Sequence, residues 1–268
     1  MDYDVRPQDL ISFLDQVTRK AGQAVVSLFQ GKFSVHRKGT SDTTIDIVTD
    51  ADRASEDIIL GEISRQFPSH DILTEETMIE STGSRWLWLV DPLDGTVNFA
   101  HGIPHFGISI ALAEHDKVVV GIVYDPLRDE SFLAYGNGGA FLNGGPIQVS
   151  VSKTLRTSVI ATGFPYDRAT SPENNVAEFC RVVTRVQGIR RAGAASLDLA
   201  YVAAGRLDGF WELKLKPWDQ AAGMLLVEEA GGRVSDNTGS PTSFRTRFVV
   251  ATNGLIHDEL ITRLRGDS

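Results

Sequence analysis

The sequence predicts an α+β fold, with an antiparallel sheet in its first half and an α/β layer in its second. Three observations lead there. Strand-like runs at Gly107–Ala113, Lys117–Tyr124 and Glu130–Tyr135 follow one another with only turn signals between them, the pattern of a meander. The last third alternates strand-like and helix-like segments. A strongly periodic helix opens the chain. The 268 residues can bury a sizeable core, and 42% hydrophobic with 23% charged content is ordinary for a soluble globular enzyme.

In chain order, Leu10, Leu14, Val17, Ala21, Val25 and Leu28 recur at helical spacing, with Pro7 near the start of that helix. Lys32–Ile45 is polar, carries Gly39, Thr40 and Ser41, and reads as a loop. Within it Lys38 reads as a solvated lysine. Thr49 or Asp50 can cap a helix running to Phe67, with Ile59 and Ile63 inward and Pro68 beyond its end. Asp50 and Asp52 suit the positive end of that helix. Ile72–Thr74 is a short strand. Glu75 and Glu76 after it form a solvated edge unless they meet other acids in space.

Past the meander, Asn137-Gly138-Gly139 and Asn143-Gly144-Gly145 supply positive-φ positions for tight hairpins. Ser158–Ala161 reads as a strand, Pro172–Val186 as a helix, Gly188–Arg191 as a strand and Ser196–Ala204 as a small-residue helix. Gly209–Glu212 is a strand and Trp218–Ala230 a helix closed by Gly231-Gly232. Arg233–Ser235 and Phe248–Thr252 are strands, and Ile256–Arg265 is the last helix. No internal repeat or linker interrupts the chain. It reads as one domain over 1–268, with subdomains 1–152 and 153–268.

Composition narrows the partners. A net charge of −9 argues against nucleic acid as a main partner, because phosphate backbones need a basic face. It is compatible with a phosphorylated small molecule if cations bridge the charges. One cysteine, Cys180, excludes an internal disulfide; among Val176, Phe179 and Val183 it reads as a buried structural thiol. The N-terminal stretch MDYDVRPQDL has no signal-peptide pattern, and no apolar run is long enough to span a bilayer, so no membrane role and a cytoplasmic location are expected. His101, His105 and His115 lack zinc-site spacing.

The chemistry concentrates in Trp86–Phe99, WLWLVDPLDGTVNF. An apolar run, Trp86–Val90, suits a strand buried on both faces. It delivers Asp91 and Asp94 onto a Pro/Gly turn, which reads either as a plain turn or as a seat for hard cations. A helix starting after Gly95 would turn the Gly95 and Thr96 amides toward an anion. Asp219 opens a later helix whose next residues, Ala221, Ala222 and Gly223, permit close approach to a neighbour. If Glu75, Asp91, Asp94 and Asp219 share one cleft, their repulsion calls for two or three Mg²⁺ ions, the arrangement of metal-assisted displacement at phosphorus.

With these residues in view, the chain resembles the inositol monophosphatase family of Mg²⁺-dependent, lithium-sensitive phosphatases over nearly its whole length. The likeness runs through Asp46-Ile-Val-Thr-x-x-Asp52, Leu73-Thr-Glu75-Glu76, Asp91-Pro-Leu-Asp94-Gly-Thr96-x-Asn98-Phe99 and Gly163-Phe-Pro-Tyr166. It continues through Arg191-x-Gly193, Trp218-Asp219-x-Ala-Ala-Gly223 and Glu229-Ala-Gly-Gly232. The resemblance implies an alternating αβαβα layered sandwich of the sugar-phosphatase type and hydrolysis of a phosphate monoester. It implies that Glu75, Asp91 and the Leu93 carbonyl hold a first metal, and Asp91, Asp94 and Asp219 a second. Glu75 would also touch a third. Asp52 pairs with the Thr96 hydroxyl to activate water, so Asp52, Thr96 and Glu75 take the catalytic roles. The amides of Gly95 and Thr96 would receive phosphate, and Asp94, Gly193, Ala195 and Glu212 would meet inositol hydroxyls. Thr74 stands where the family has Gly, and Gly193-Ala-Ala-Ser196 replaces Gly-Ser-Ala-Ala.

The expected activity is that of an inositol-1-monophosphatase, by direct attack of activated water on a small phosphorylated polyol or sugar, in a homodimer. Rivals are the same chemistry on fructose 1,6-bisphosphate, histidinol phosphate or a 3′-phosphonucleotide. A rival of another class is a non-catalytic regulator on the same fold that binds a protein, with transcription as a candidate setting.

Overall fold

A computed structural model describes residues 7–38, 46–77 and 82–267. The first 23-residue helix, α1 (Pro7–Phe29), buries Leu10, Leu14, Val17, Ala21 and Val25 along one stripe. Part of the expected loop is a strand: β1 (Val35–Arg37) pairs antiparallel with β2 (Ile47–Thr49). Gly39, Thr40 and Ser41 lie outside the described residues. Thr49 caps α2 (Asp50–Gln66) through its side chain.

A seven-stranded sheet follows in spatial order β3 (Asp71–Thr74), β4 (Trp86–Asp94), β5 (Gly107–Glu114), β6 (Lys117–Asp125), β7 (Glu130–Tyr135), β8 (Gly139–Leu142) and β9 (Gly145–Pro146). Only β3 and β4 run parallel; the rest is the expected meander. The hairpin tips use Asn137, Gly139, Asn143 and Gly144 at positive φ. Between β4 and β5 sits one short helix, α3 (Thr96–Ala100).

The second half alternates through β10 (Val159–Thr162), α4 (Val176–Val183), β11 (Gly188–Arg190), α5 (Ala195–Ala203), β12 (Gly209–Leu213), α6 (Pro217–Glu229), β13 (Arg233–Ser235), β14 (Phe248–Thr252) and α7 (His257–Arg265). Its five strands stand in the order β11-β10-β12-β14-β13.

Side-chain alternation stacks these parts. Trp88, Val90, Ile108 and Ile110 face α1 and α2. The opposite-facing Leu89, Ala111, Val123 and Phe132 face Leu197, Ala221, Ala222 and Leu225 on α5 and α6. The same two helices then cover Phe210, Val249 and Ala251 of the smaller sheet. Its other face, Ile160, Trp211 and Val250, packs on Val182 of α4 and on Leu260 and Leu264 of α7. The result is five layers, α-β-α-β-α. At Gly223 the small-residue face works as expected, since a Cβ there would lie 2.5 Å from Leu199 Cβ.

Two further expectations about the second half need correction. The helix expected over Pro172–Val186 spans only Val176–Val183, because Asn175 before it takes φ +68° and is fully buried. Its amide donates to Thr162 Oγ1 at 2.8 Å and accepts from Trp211 Nε1 at 2.7 Å. Cys180 is exposed rather than buried. The short helix turns Phe179 and Val182 inward and leaves the adjacent face to solvent. No described helix is long and apolar enough to cross a membrane.

Candidate active site

The parallel pairing of β3 with β4 ends on Thr74 opposite Val90. The next residues, Glu75 and Asp91, therefore emerge side by side, as expected of neighbouring strand ends. The β4 ladder is irregular between Asp91 and Asp94, which keep pairing with Ser109 and Gly107 on β5. Gly95 then turns the chain at φ +95° and caps α3. Ser109 Oγ donates to the Trp218 carbonyl at 3.1 Å, which ties the start of α6 to this strand end. Glu75, Asp91, Asp94 and Asp219 thus line a single cleft of about 700 Å³, with Leu93, Gly95 and Thr96.

Three of the acids sit where a helix begins, and each gives one carboxylate oxygen to that start. Asp52 Oδ2 accepts from Thr49 N at 2.8 Å on α2. Asp94 Oδ2 accepts from Ser196 N at 2.7 Å and Ser196 Oγ at 2.5 Å on α5. Asp219 Oδ2 accepts from Lys216 N at 2.7 Å on α6. The helix-dipole reading of Asp52 and its role as partner of Thr96 are therefore compatible. Its Oδ1 accepts from Thr96 Oγ1 at 2.8 Å, and the Leu93 carbonyl lies 3.1 Å from the same hydroxyl.

Lys38 is not a free surface lysine. Its ammonium lies 2.5 Å from Glu75 Oε1 and 2.6 Å from Glu76 Oε1. Burial works against its charge, but the two carboxylates outweigh it and hold its pKa above the ordinary lysine range. Below them the buried Glu56 accepts from Thr74 Oγ1 at 2.6 Å, Thr77 Oγ1 at 2.7 Å and the amides of Glu76 and Thr77 at 3.3 and 3.2 Å. Thr74, in place of the family glycine, is thus part of a clamp on the Glu75-Glu76 segment.

The electrostatics follow from burial and crowding. Burial pushes Asp91 well above the usual carboxylate range, and Glu75, Asp94 and Asp219 add to the push. Asp219 is raised well above that range too, by burial and then Glu75. Asp94 rises to about 6, mainly by burial, against the Ser196 hydrogen bonds. Burial also raises Asp52, against Thr49 and Thr96, and lifts Glu76 to about 7.

Gly193, Ala195 and Glu212, the residues expected at the alcohol side, line the same cleft. Burial raises Glu212 to about 8, with Arg191 opposing. Sequence reasoning missed two neighbours. Ser196 holds Asp94, and Asp198 lines the cleft from the first turn of α5. An acid at that position looks like ordinary helix-end chemistry, so no local signal marks it.

The donor set tests whether metal fits. All candidate donors are oxygens, the carboxylates and the Leu93 carbonyl, which suit hard divalent cations. Three of the acids carry raised pKa values that neighbouring cations would relieve. Among the described residues no three acid, histidine or cysteine side chains close around one point. Glu75 is turned to Lys38, and one oxygen each of Asp94 and Asp219 to a helix amide. The residues fit such cations in chemistry and location.

Five alternating layers around an acid-lined cleft, with a hydroxyl–carboxylate pair at its edge, define a phosphatase of the layered, metal-dependent class. The chain belongs to the inositol monophosphatase family, whose model matches residues 6–268. It is 45% identical over 258 residues to the inositol-1-monophosphatase of Synechocystis sp., covering 95% of this chain and 89% of the relative. It is 42% identical over 265 residues to the Nus factor SuhB of Pseudomonas aeruginosa, covering 96% of each. The extragenic suppressor protein suhB of Bartonella henselae, a solved structure, superposes with TM-score 0.88 at 42% identity, over 96% of this chain and 98% of that one.

Proposed function

We propose that this cleft hydrolyses the phosphate monoester of a small polyol, inositol monophosphate foremost, to the free alcohol and inorganic phosphate. The observation that carries the reading is the meeting of Glu75, Asp91, Asp94 and Asp219 in one cleft beside the Thr96–Asp52 pair. Glu75, Asp91 and the Leu93 carbonyl would hold a first Mg²⁺, Asp91, Asp94 and Asp219 a second, with Glu75 also available to a third. Bound there, Mg²⁺ supplies Lewis-acid polarisation of the phosphoryl group and neutralises the crowded acids.

The chain's own groups do the rest. Thr96 Oγ1 donates to Asp52 Oδ1, so a lone pair of the hydroxyl is left to orient a water and draw its proton. The raised pKa of Asp52 suits a base that receives that proton. Water attacks phosphorus in line as its proton passes by way of Thr96 to Asp52, the bond to the alcohol oxygen breaks, that oxygen takes a proton from solvent water and leaves as the free alcohol, and no covalent enzyme intermediate forms. The amides of Gly95 and Thr96 bind phosphate at the start of α3. Asp94, Gly193, Ala195 and Glu212 meet the alcohol.

The test is phosphate release from inositol 1-phosphate, fructose 1,6-bisphosphate, histidinol phosphate and a 3′-phosphonucleotide, with and without Mg²⁺. Preferred, Mg²⁺-dependent turnover of the inositol ester supports the assignment, and preference for another ester by tenfold or more overturns it. The name of the Pseudomonas relative favours a second reading, a Nus factor. A stable protein complex with no Mg²⁺-dependent release from any ester would select it. The intact acid cluster speaks for catalysis, since a pure binding scaffold gains nothing from so costly a charge arrangement.

A further inference from the structure

We propose that Asp198 is a specificity-determining residue that receives a hydroxyl of the leaving alcohol. The inference deepens the phosphatase reading and rests on it. Asp198 is 3% exposed, yet it borders the open cleft. What acts on it is burial together with the charges of Glu212, Asp94 and Arg191; no described residue donates a hydrogen bond to its carboxyl. Its carboxyl oxygens are not among the side-chain atoms shut off from solvent, and the cleft is a space they border. A ligand there can provide the missing donor.

The neighbours define that donor. The carboxylate of Glu212 lies directly over Gly163, where a Cβ would come within 2.1 Å of Oε1, so only glycine lets Glu212 take this place. Asp198, Glu212 and Arg191 all line the cleft, and the charges of Glu212 and Arg191 act on Asp198. Two acceptors and one guanidinium donor match groups that both donate and accept, and hydroxyls do both. A second phosphate or a carboxylate on the alcohol brings no proton for either acid to accept, and any charge the acids carry repels it. An ammonium would compete with Arg191, which already sits in electrostatic reach of both acids. Neighbouring hydroxyls of a cyclitol or uncharged sugar ring satisfy all three side chains.

The experiment uses the full-length protein with Mg²⁺ and two esters, inositol 1-phosphate and p-nitrophenyl phosphate, whose leaving group carries no hydroxyl. In Asp198→Ala, kcat/KM for the inositol ester should fall about tenfold relative to that for the aryl ester, the loss expected for one buried hydrogen bond. Activity on the aryl ester should stay within about twofold of wild type. An unchanged ratio overturns the role of Asp198, and so does an equal fall on both esters, the mark of a structural support. Should Asp198→Ala not fold, Asp198→Leu, of similar size and without an acceptor, carries the test, and a ratio lowered by less than about threefold overturns the role. A wild-type protein that hydrolyses neither ester refutes the phosphatase reading and this inference with it.

Discussion

Asp94 and Asp219 each divide one carboxylate between a helix start and the cleft, and Asp52 divides its own between a helix start and the Thr96 hydroxyl. Substituting them with alanine would therefore mix loss of a cap with loss of charge. Asp94→Asn separates the two, because an amide oxygen still accepts from Ser196 while the charge is gone. The variant should fold normally and need at least about tenfold more Mg²⁺ for half-maximal phosphate release, with calorimetric Mg²⁺ titration showing the same weakening. Near-normal turnover at low Mg²⁺ would remove Asp94 from the ligand set. At this scale the acids on strand ends were legible from local pattern, since an apolar run delivering Asp91 and Asp94 to a turn is distinctive. The Thr96–Asp52 pair spans 44 positions, and only resemblance to a family could bring its members together. Lys38 was misread as a solvated lysine because its two partners come from another segment.

Among the elements, the end of β3 carries the most consequence. Glu56 on α2 collects four donors from Thr74, Glu76 and Thr77 and so fixes the path of Glu75. Glu56→Ala leaves those donors buried or half-buried without an acceptor. It should cost about 1–3 kcal/mol in urea denaturation and raise the Mg²⁺ concentration needed for activity. A variant of unchanged stability would show that the clamp is dispensable. At the other end of the fold, His257 opens α7 fully buried, with its ring nitrogens 2.8 Å from Ser235 Oγ and 2.9 Å from Thr252 Oγ1. Burial lowers its pKa to about 4, with Arg233 adding to the shift. Between the unfolded value near 6.5 and this one, the unfolded chain binds a proton that the fold does not, so stability falls as the pH drops through that window. Replacing His257 with Gln should flatten the fall by about 2 kcal/mol between pH 7 and pH 5, read as the difference between the two proteins' urea midpoints. An identical pH slope in both would show that His257 already titrates normally. Element boundaries were legible wherever alternation met a turn signal, as in β5 to β7. They failed at α4, where helical periodicity continued past the point at which Asn175 was needed to bond Thr162 and Trp211.

For the whole molecule, sequence alternation was enough to separate a meander from a β/α half, but not to say how they stack. Stacking depends on which face of each strand is covered, and β12 and β14 are buried on both. The αβαβα order came from the resemblance and agrees with the three apolar clusters, which assign α5 and α6 to both sheets at once. That shared layer bears on how the chain can be cut. A gene divided near codon 152 would give an N-terminal product whose Leu89, Ala111, Val123 and Phe132 have nothing to cover them, and a C-terminal product with α5 and α6 bare on one side. Each piece made alone should be insoluble, and co-expression should restore soluble material only if the pieces associate as they are synthesised. Recovering either half by itself as a folded monomer would mean that the central helices belong to one sheet only.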